Sequence, residues 1–292
     1  MQRFIPVILA LIVWLCSAGP ALAQADAITR GHYILTASGC AGCHTDIKNK
    51  GPFLAGGRAL KTPFGIFYGP NITPHTTHGI GNWNDEDFIR ALRHGVAPDG
   101  SHYFPVFPYT SFTKLTDRDM RDLKAYLFSV PPSAKPNIPH DIKFPFGIRA
   151  SMAAWKLLFF ETGPFRPNPA RDSAWNRGAY LSEAMVHCGE CHTPRNRFGA
   201  AIQGRAYAGT REGPGGDLVP NITRDTETGI GKWNHQEIVD ILKIGMLPNG
   251  DFTGGAMAEV TENMAKLRNK DLNAIASYFK SLPAVRNKVT RK

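Results

Sequence analysis

Apolar residues return at helical spacing in a series of stretches, and each stretch in the first half of the chain has a partner about 150 residues later. The spacing predicts a first helix over residues 27–38 and a counterpart over 174–187. Asn84, with Asp87 three positions on, is placed to cap a helix whose Phe88, Ala91 and Leu92 share one face, and Asn234 with Glu237 repeats the arrangement. Thr116-Asp117-Arg118-Asp119 resembles a capping box before a last helix carrying Leu123, Tyr126 and Leu127, which Pro131 and Pro132 stop. Its counterpart over 271–280 stops at Pro283.

Two stretches fall outside this rhythm. Between the halves lies a segment rich in proline (Pro136, Pro139, Pro145, Pro164, Pro167, Pro169), a composition that makes a linker extended and stiff. Inside it, residues 151–160 are apolar and form a short helix, expected to pack across the interface between the halves; docking on a partner subunit or membrane is the alternative. At the start, Arg3, an apolar run from Phe4 to Cys16 and the small-x-small triplet Ala21-Leu22-Ala23 make a secretory leader cleaved after Ala23. The run is short for a bilayer span, and Leu15 is too large for the residue before a lipidated cysteine.

The repeat is visible residue by residue. Arg30-Gly31-His32-Tyr33 matches Arg177-Gly178-Ala179-Tyr180, and Gly57-Arg58-Ala59 matches Gly204-Arg205-Ala206. Pro70-Asn71-Ile72-Thr73 matches Pro220-Asn221-Ile222-Thr223, and Gly79-Ile80-Gly81-Asn82-Trp83-Asn84 matches Gly229-Ile230-Gly231-Lys232-Trp233-Asn234. These matches divide the chain into a leader (1–23), a first domain (24–133), a linker (134–173), a second domain (174–285) and a polar tail (286–292).

At 292 residues the chain can bury two ordinary cores. Its formal charge of +10 becomes +9 once Arg3 leaves with the leader. A basic exported protein suits an acidic protein partner or an anionic membrane surface, and nucleic acid is not expected as a ligand there. The leader takes Cys16 with it, so the four remaining cysteines leave none over for a disulfide beyond the motifs they form.

Those motifs carry the chemistry. Cys40-Ala41-Gly42-Cys43-His44 and Cys188-Gly189-Glu190-Cys191-His192 each put two thiols on one helical turn, where they can form thioethers to both vinyl groups of a haem, with the next residue as proximal ligand. The expectation is two covalently bound haem c groups, attached through Cys40, Cys43, Cys188 and Cys191, with iron held by His44 and His192. A shared zinc site needs the two Cys pairs within roughly 15 to 20 residues, whereas these are separated by about 150. A thioredoxin-like site needs a βαβ context that the pattern lacks.

Small helical units built around such motifs resemble class I cytochromes c, which implies an all-α fold of two tandem domains joined by the proline-rich linker. The resemblance implies that first and last helices cross at a glycine and an aromatic, Gly31 with Tyr126 and Gly178 with Tyr278. It also implies a methionine as sixth ligand in a loop before the last helix, which Met257, 65 residues after His192, supplies for the second site. In the first half the matching position, counted by the 150-residue shift that relates Asn71-Ile72-Thr73 to Asn221-Ile222-Thr223, is Phe107, which cannot bind iron. His102 is the best substitute there, ahead of His75, His78 and His94, while Met120 reads as core; an open, five-coordinate first haem is the remaining option.

Over nearly all of the mature chain the sequence resembles the cytochrome c subunits of membrane-bound bacterial alcohol, gluconate and sorbitol dehydrogenases. The residues are Pro70 to Thr73 with Gly79 to Trp83, Pro105-Val106-Phe107-Pro108-Tyr109-Thr110-Ser111-Phe112, and Gly255-Ala256-Met257 followed by Ala274-Ile275-Ala276-Ser277-Tyr278. The chain departs from that family in having two haem motifs where three are usual, and in Phe107 where methionine is usual. The resemblance implies a periplasmic, non-catalytic electron-transfer subunit. A dehydrogenase would be its donor, a downstream cytochrome or oxidase its acceptor, and peripheral membrane contact would come through the complex. The enzymatic rival is a dihaem peroxidase reacting at the first haem.

Overall fold

The structure, a computed structural model, describes residues 23–290; the leader expected over 1–23 lies, but for Ala23, outside them. It is mostly helical. Helix α1 covers residues 23–37 and is followed at once by α2 (Cys40–His44), α3 (Asp85–His94), α4 (Tyr109–Phe112) and α5 (Asp117–Leu127). The second half repeats the order with α7 (Ser173–Tyr180), a π-helical turn (Leu181–Met185), α8 (Gly189–His192), α9 (His235–Ile244), α10 (Gly255–Met264) and α11 (Asn269–Phe279). Helix α6 (Ser151–Phe159) stands between them.

The caps are where the sequence places them. Asn84 accepts from the Asp87 N–H while Asp87 accepts from the Asn84 N–H, and Asn234 with Glu237 does the same. The Thr116 hydroxyl accepts from the Asp119 N–H at the start of α5.

One element departs from the all-helical expectation. Strands β1 (Ala59–Thr62) and β2 (Gly65–Tyr68) form an antiparallel hairpin, and β3 (Asp141–Ile142) from the linker adds to it with Gly65 opposite Ile142. The hairpin follows from Pro63 and Gly65 at the turn, where Thr62 Oγ1 donates to the Gly65 carbonyl, and from Ile66, Phe67 and Tyr68, which favour a pleated surface.

In each half the first and last helices cross at the expected pair. A Cβ on Gly31 would run into the Asp122 carbonyl and come within 2.7 Å of Tyr126 Cβ; one on Gly178 would meet the Ala274 carbonyl and come within 3.0 Å of Tyr278 Cβ. Only a residue without a side chain lets these backbones approach so closely.

The two halves share a single core. Ile34, Leu115 and Leu123 belong to the same buried cluster as Leu181, Met185, Leu272 and Ile275. The seam is closed reciprocally. Tyr33 of α1 donates to Asp271 of α11 at 2.5 Å, and Tyr180 of α7 donates to Asp119 of α5, so each half's tyrosine reaches the third residue of the other half's last helix. Each phenol oxygen also accepts a backbone N–H from that helix's N-cap, Arg268 at 3.4 Å and Thr116 at 3.1 Å.

The proline-rich segment follows this seam rather than spacing the halves apart. Trp155 donates through Nε1 to the Phe198 carbonyl in the second half, while Lys156 Nζ donates to the His94 and Gly95 carbonyls in the first. Buried Trp155 and Lys156 therefore give α6 the interface packing expected of it.

Two outcomes follow from this packing. Gly31→Ala should cost about 1–3 kcal/mol in chemical denaturation through overpacking, whereas Gly204→Ala, where an added Cβ meets nothing within 4 Å, should be neutral. Burial would raise the Asp271 pKa, but hydrogen bonds from Arg177 and Tyr33 and the Arg177 charge hold it at about 2 against an ordinary 3.8. A depressed folded-state pKa gives stability that is present above pH 3.8 and lost as pH falls toward about 2. Melting curves across that window should drop more steeply for the natural protein than for Asp271→Asn.

Candidate functional site

Both paired-cysteine motifs begin where a helix is turned sharply. Gly39, with φ of 61°, ends α1 and lets α2 start immediately. His187 holds the matching left-handed position before α8 with φ of 47°, a conformation that costs a side chain something. It is held there by Nε2–H donating to the Ser38 carbonyl at 3.1 Å and by edge-on contact with Phe112 at 5.4 Å. The π-helical turn just before it re-aims the chain, with the Cys188 N–H on the Ser182 carbonyl at 3.0 Å.

None of the four described cysteines is paired in a disulfide. Burial pushes Cys40 and Cys188 up to about 12 and raises Cys43. Cys191 rises to about 11 through burial and the Glu190 carboxylate, and the Cys43 thiol of the other motif adds to it across the seam.

The histidines are aimed by the repeated Pro-Asn-Ile-Thr. His44 Nδ1 lies 2.7 Å from the Pro70 carbonyl and His192 Nδ1 2.8 Å from the Pro220 carbonyl. A carbonyl can only accept, so the proton sits on Nδ1 and the Nε2 lone pair is left for a metal. Burial keeps both imidazoles below their ordinary pKa and therefore neutral. Asn71 and Asn221 each accept from the N–H and hydroxyl of the threonine two residues on, which fixes the proline's loop. Ile72 and Ile222 donate to the Leu54 and Tyr207 carbonyls, and those two residues donate to the Thr45 and Thr193 hydroxyls just after each histidine.

Residues at and just beyond the ends of the two domains assigned by sequence complete this scaffold. Asn71 Nδ2 donates to the Ser133 and Lys135 carbonyls, and Asn137 Oδ1 accepts the Asn71 N–H. In the second half Asn221 Nδ2 donates to the Val285 carbonyl, and Asn287 Nδ2 donates to the Ala208 carbonyl.

Sequence reasoning missed how the motifs are held against each other. Glu190, between the cysteines of the second motif, accepts from Thr110 and Ser111 of the first half at 2.6 Å each and from Arg195 at 2.5 Å. Burial would raise its pKa, but Arg195 and the two hydroxyls outweigh it and keep the carboxylate ionised. The first motif has Gly42 at the matching place, lying against Glu259 of α10, which pairs with Arg58 at 2.8 Å. The only sequence signal was a charged residue between two cysteines, which by itself points nowhere.

The sixth-ligand candidates are placed unequally. Met257, expected in a loop, stands half-buried in the first turn of α10, because the helix formers Ala256, Met257, Ala258 and Glu259 follow directly on Gly254 and Gly255. Phe107 packs edge-on against Tyr103, Tyr109 and Phe112. Met120 is fully buried core. His75 and His78 stack on each other, and His94 Nδ1 lies 3.3 Å from the Thr162 hydroxyl. His102 Nδ1 lies 3.1 Å from the Lys156 ammonium. An ammonium only donates, so Nδ1 accepts and the His102 proton occupies Nε2, the nitrogen iron would need.

The residues fit a covalently attached haem better than a caged metal ion. Among the described residues no three His, Cys, Asp or Glu side chains gather as a metal site. The buried hydroxyls of Ser38 and Ser182, on the approaches to the two motifs, have no protein partner.

A family model described as Cytochrome c matches residues 28–131. The cytochrome subunit of fructose dehydrogenase from Gluconobacter japonicus is 41% identical over 267 residues, covering 91% of this chain and 54% of its own length. A diheme cytochrome c-type protein of Cereibacter sphaeroides is 42% identical over 265 residues, covering 88% of this chain and 86% of its own. The gluconate 2-dehydrogenase cytochrome c subunit of Pantoea cypripedii is 36% identical over 268 residues, 88% of this chain and 60% of its own. The chain thus spans little more than half the length of these dehydrogenase subunits.

His102→Ala should leave the absorption and electron paramagnetic resonance spectra of the haem-loaded protein unchanged. A shift from low to high spin in one haem would return His102 to the coordination sphere.

Proposed function

Because the chain belongs to the cytochrome c family, we propose that it is a dihaem electron carrier built from two tandem class I domains. In this reading the domains span 24–133 and 174–285, the linker 134–173 and the tail 286–292, and a leader over 1–23 directs export to the periplasm. Cys40, Cys43, Cys188 and Cys191 attach the two haem c groups; His44 and His192 are the proximal ligands, and Met257 is the sixth ligand of the second. Each haem supplies a reversible one-electron centre.

The chain's own residues do the rest. The Pro70 and Pro220 carbonyls hold the histidine protons on Nδ1, which keeps Nε2 on offer and raises its donor strength. The shared core and the reciprocal tyrosines fix the spacing of the two sites, so that little reorganisation is needed between redox states. The observation that carries the proposal is the pair of matching sites, each with two cysteines on one helical turn and a histidine whose Nδ1 faces a proline carbonyl so that Nε2 is left for iron. Relatives named as dehydrogenase cytochrome subunits support a dehydrogenase as donor. A respiratory cytochrome or oxidase is the acceptor in this reading.

A second reading has one observation in its favour: Phe107 occupies the place that Met257 holds in the other half. An open first haem could then turn over peroxide, although the aromatic residues around Phe107 offer no carboxylate as acid or base.

Redox titration of the haem-loaded protein should show two one-electron centres, both reduced by the catalytic subunit of a fructose, alcohol or gluconate dehydrogenase supplied with substrate. Met257→His should lower one potential by about 0.1 V or more, within the ~0.8 V span that axial ligands command, and leave the other in place. Failure of both centres to accept electrons, or peroxide turnover with a high-spin first haem, would overturn the carrier reading.

A further inference from the structure

Helix α10 is packed on two sides by different halves of the chain. Met257, Thr261 and Met264 recur at i, i+4 and i+7 and make its inner face: Thr261 and Met264 are buried, and the Thr261 hydroxyl donates to the Met257 carbonyl at 3.0 Å. Residues two apart on a helix stand about 200° from each other around the axis, so Glu259 leaves on the side away from Met257. There it meets the first half. Glu259 Oε2 lies 3.8 Å from the position of a Cβ on Gly42, inside the first cysteine motif. Asn263, one turn further along the same face, has Nδ2 3.6 Å from the position of a Cβ on Gly39, at the turn that opens that motif.

Arg58 fixes this contact. Its Nη1 and Nη2 donate to Glu259 Oε2 and Oε1 at 2.9 and 2.8 Å, a two-point bond that sets direction as well as distance. The Arg58 backbone is anchored in turn. Its carbonyl accepts from the Gly69 N–H at 3.0 Å, and the Gly57 N–H donates to the Gly69 carbonyl at 2.8 Å. Gly69 directly precedes Pro70, whose carbonyl holds the His44 proton. One bonded path therefore joins the loop behind the first site's histidine to the helix that bears Met257.

The link runs in one direction. Arg205 is the repeat of Arg58, but the 150-residue shift sets Tyr109 opposite Glu259, so the matching place in the first half holds no carboxylate for Arg205. The helix that receives the link also has reason to need it. Its N-cap is Gly254, which offers no side-chain cap, and Met257 stands in the first turn, where helices fray.

We infer that Arg58 and Glu259 are positioning residues for the sixth ligand of the second haem: through this pair the first half seats α10 so that Met257 reaches the iron. The inference rests on Met257 being that ligand. The pair supplies from outside the helix the restraint that its first turn lacks from within.

In the haem-loaded chain, the ferric methionine-to-iron charge-transfer band reports the second site alone, and imidazole competes for the sixth position there. Met257→Ala should abolish the band; if it persists, Met257 is not the ligand and the inference falls with that reading. With Met257 in place, Arg58→Gln should let imidazole displace the band at roughly two- to fivefold lower concentration, the range of a partly exposed ion pair. Arg58→Glu should lower it further, and hydrogen exchange of the amides over 257–264 should quicken in both variants. Joining Arg58→Glu to Glu259→Arg should restore the natural values, whereas Lys232→Gln, which removes an exposed pair with Glu227, should change nothing. A band that Met257→Ala removes but that imidazole displaces equally in the natural, Arg58→Gln and Arg58→Glu proteins overturns the inference alone. So does a double exchange that restores neither imidazole competition nor exchange, or a Lys232→Gln effect as large as that of Arg58→Gln.

Discussion

The proton on each motif histidine's Nδ1 is given to a proline carbonyl, and most of the structure serves to keep that carbonyl still. Proline has no N–H and a fixed φ, so its loop cannot be held through its own backbone donor. The asparagine that follows takes over, accepting from threonine on one side and donating to a distant strand of chain on the other. That distant strand comes from the linker in one half and from the C-terminal segment in the other. The extended pieces of the chain are thus structural members of the two sites, and their placement explains why the final helices are followed by ordered coil.

The second principle is reciprocity. Each half lends the other a phenol, and the segment before each half's last helix lies on the other half's cysteine motif, Thr110 and Ser111 on Glu190 and Glu259 beside Gly42. Two small helical units that each left one face poorly covered solve the problem by burying those faces together, which yields a larger core per residue than either could have alone. The proline-rich connection is pressed onto the same seam by Trp155 and Lys156, and burial lowers the Lys156 amine to about 8.

Features set by local physics were legible in the sequence. The caps at Asn84, Asn234 and Thr116 and the paired cysteines each depend on neighbours a few residues away or on a repeat that shows itself by comparison, whereas the glycines at the helix crossings were reached only through the resemblance to class I cytochromes c. Contacts between the halves were not legible, because nothing in the pattern around Tyr33 or Tyr180 says that the acceptor is more than 60 or 200 residues distant. The hairpin was hidden for another reason: four-residue strands leave too short a period to stand out from loop. Met257 was placed correctly in order but in the wrong secondary structure, since the Gly-Gly pair that reads as a loop also serves to start a helix.

The reciprocal tyrosines have a consequence for what counts as a part of this protein. The two halves are packed as a tethered pair, and the tether keeps each at a local concentration that no free half would reach. Cutting it between the repeats would not release two miniature carriers. It would expose the faces around Leu181 and Leu115 and leave Asp271 without the phenol of Tyr33. Both cysteine motifs therefore stand against one shared core, and neither half carries its site alone.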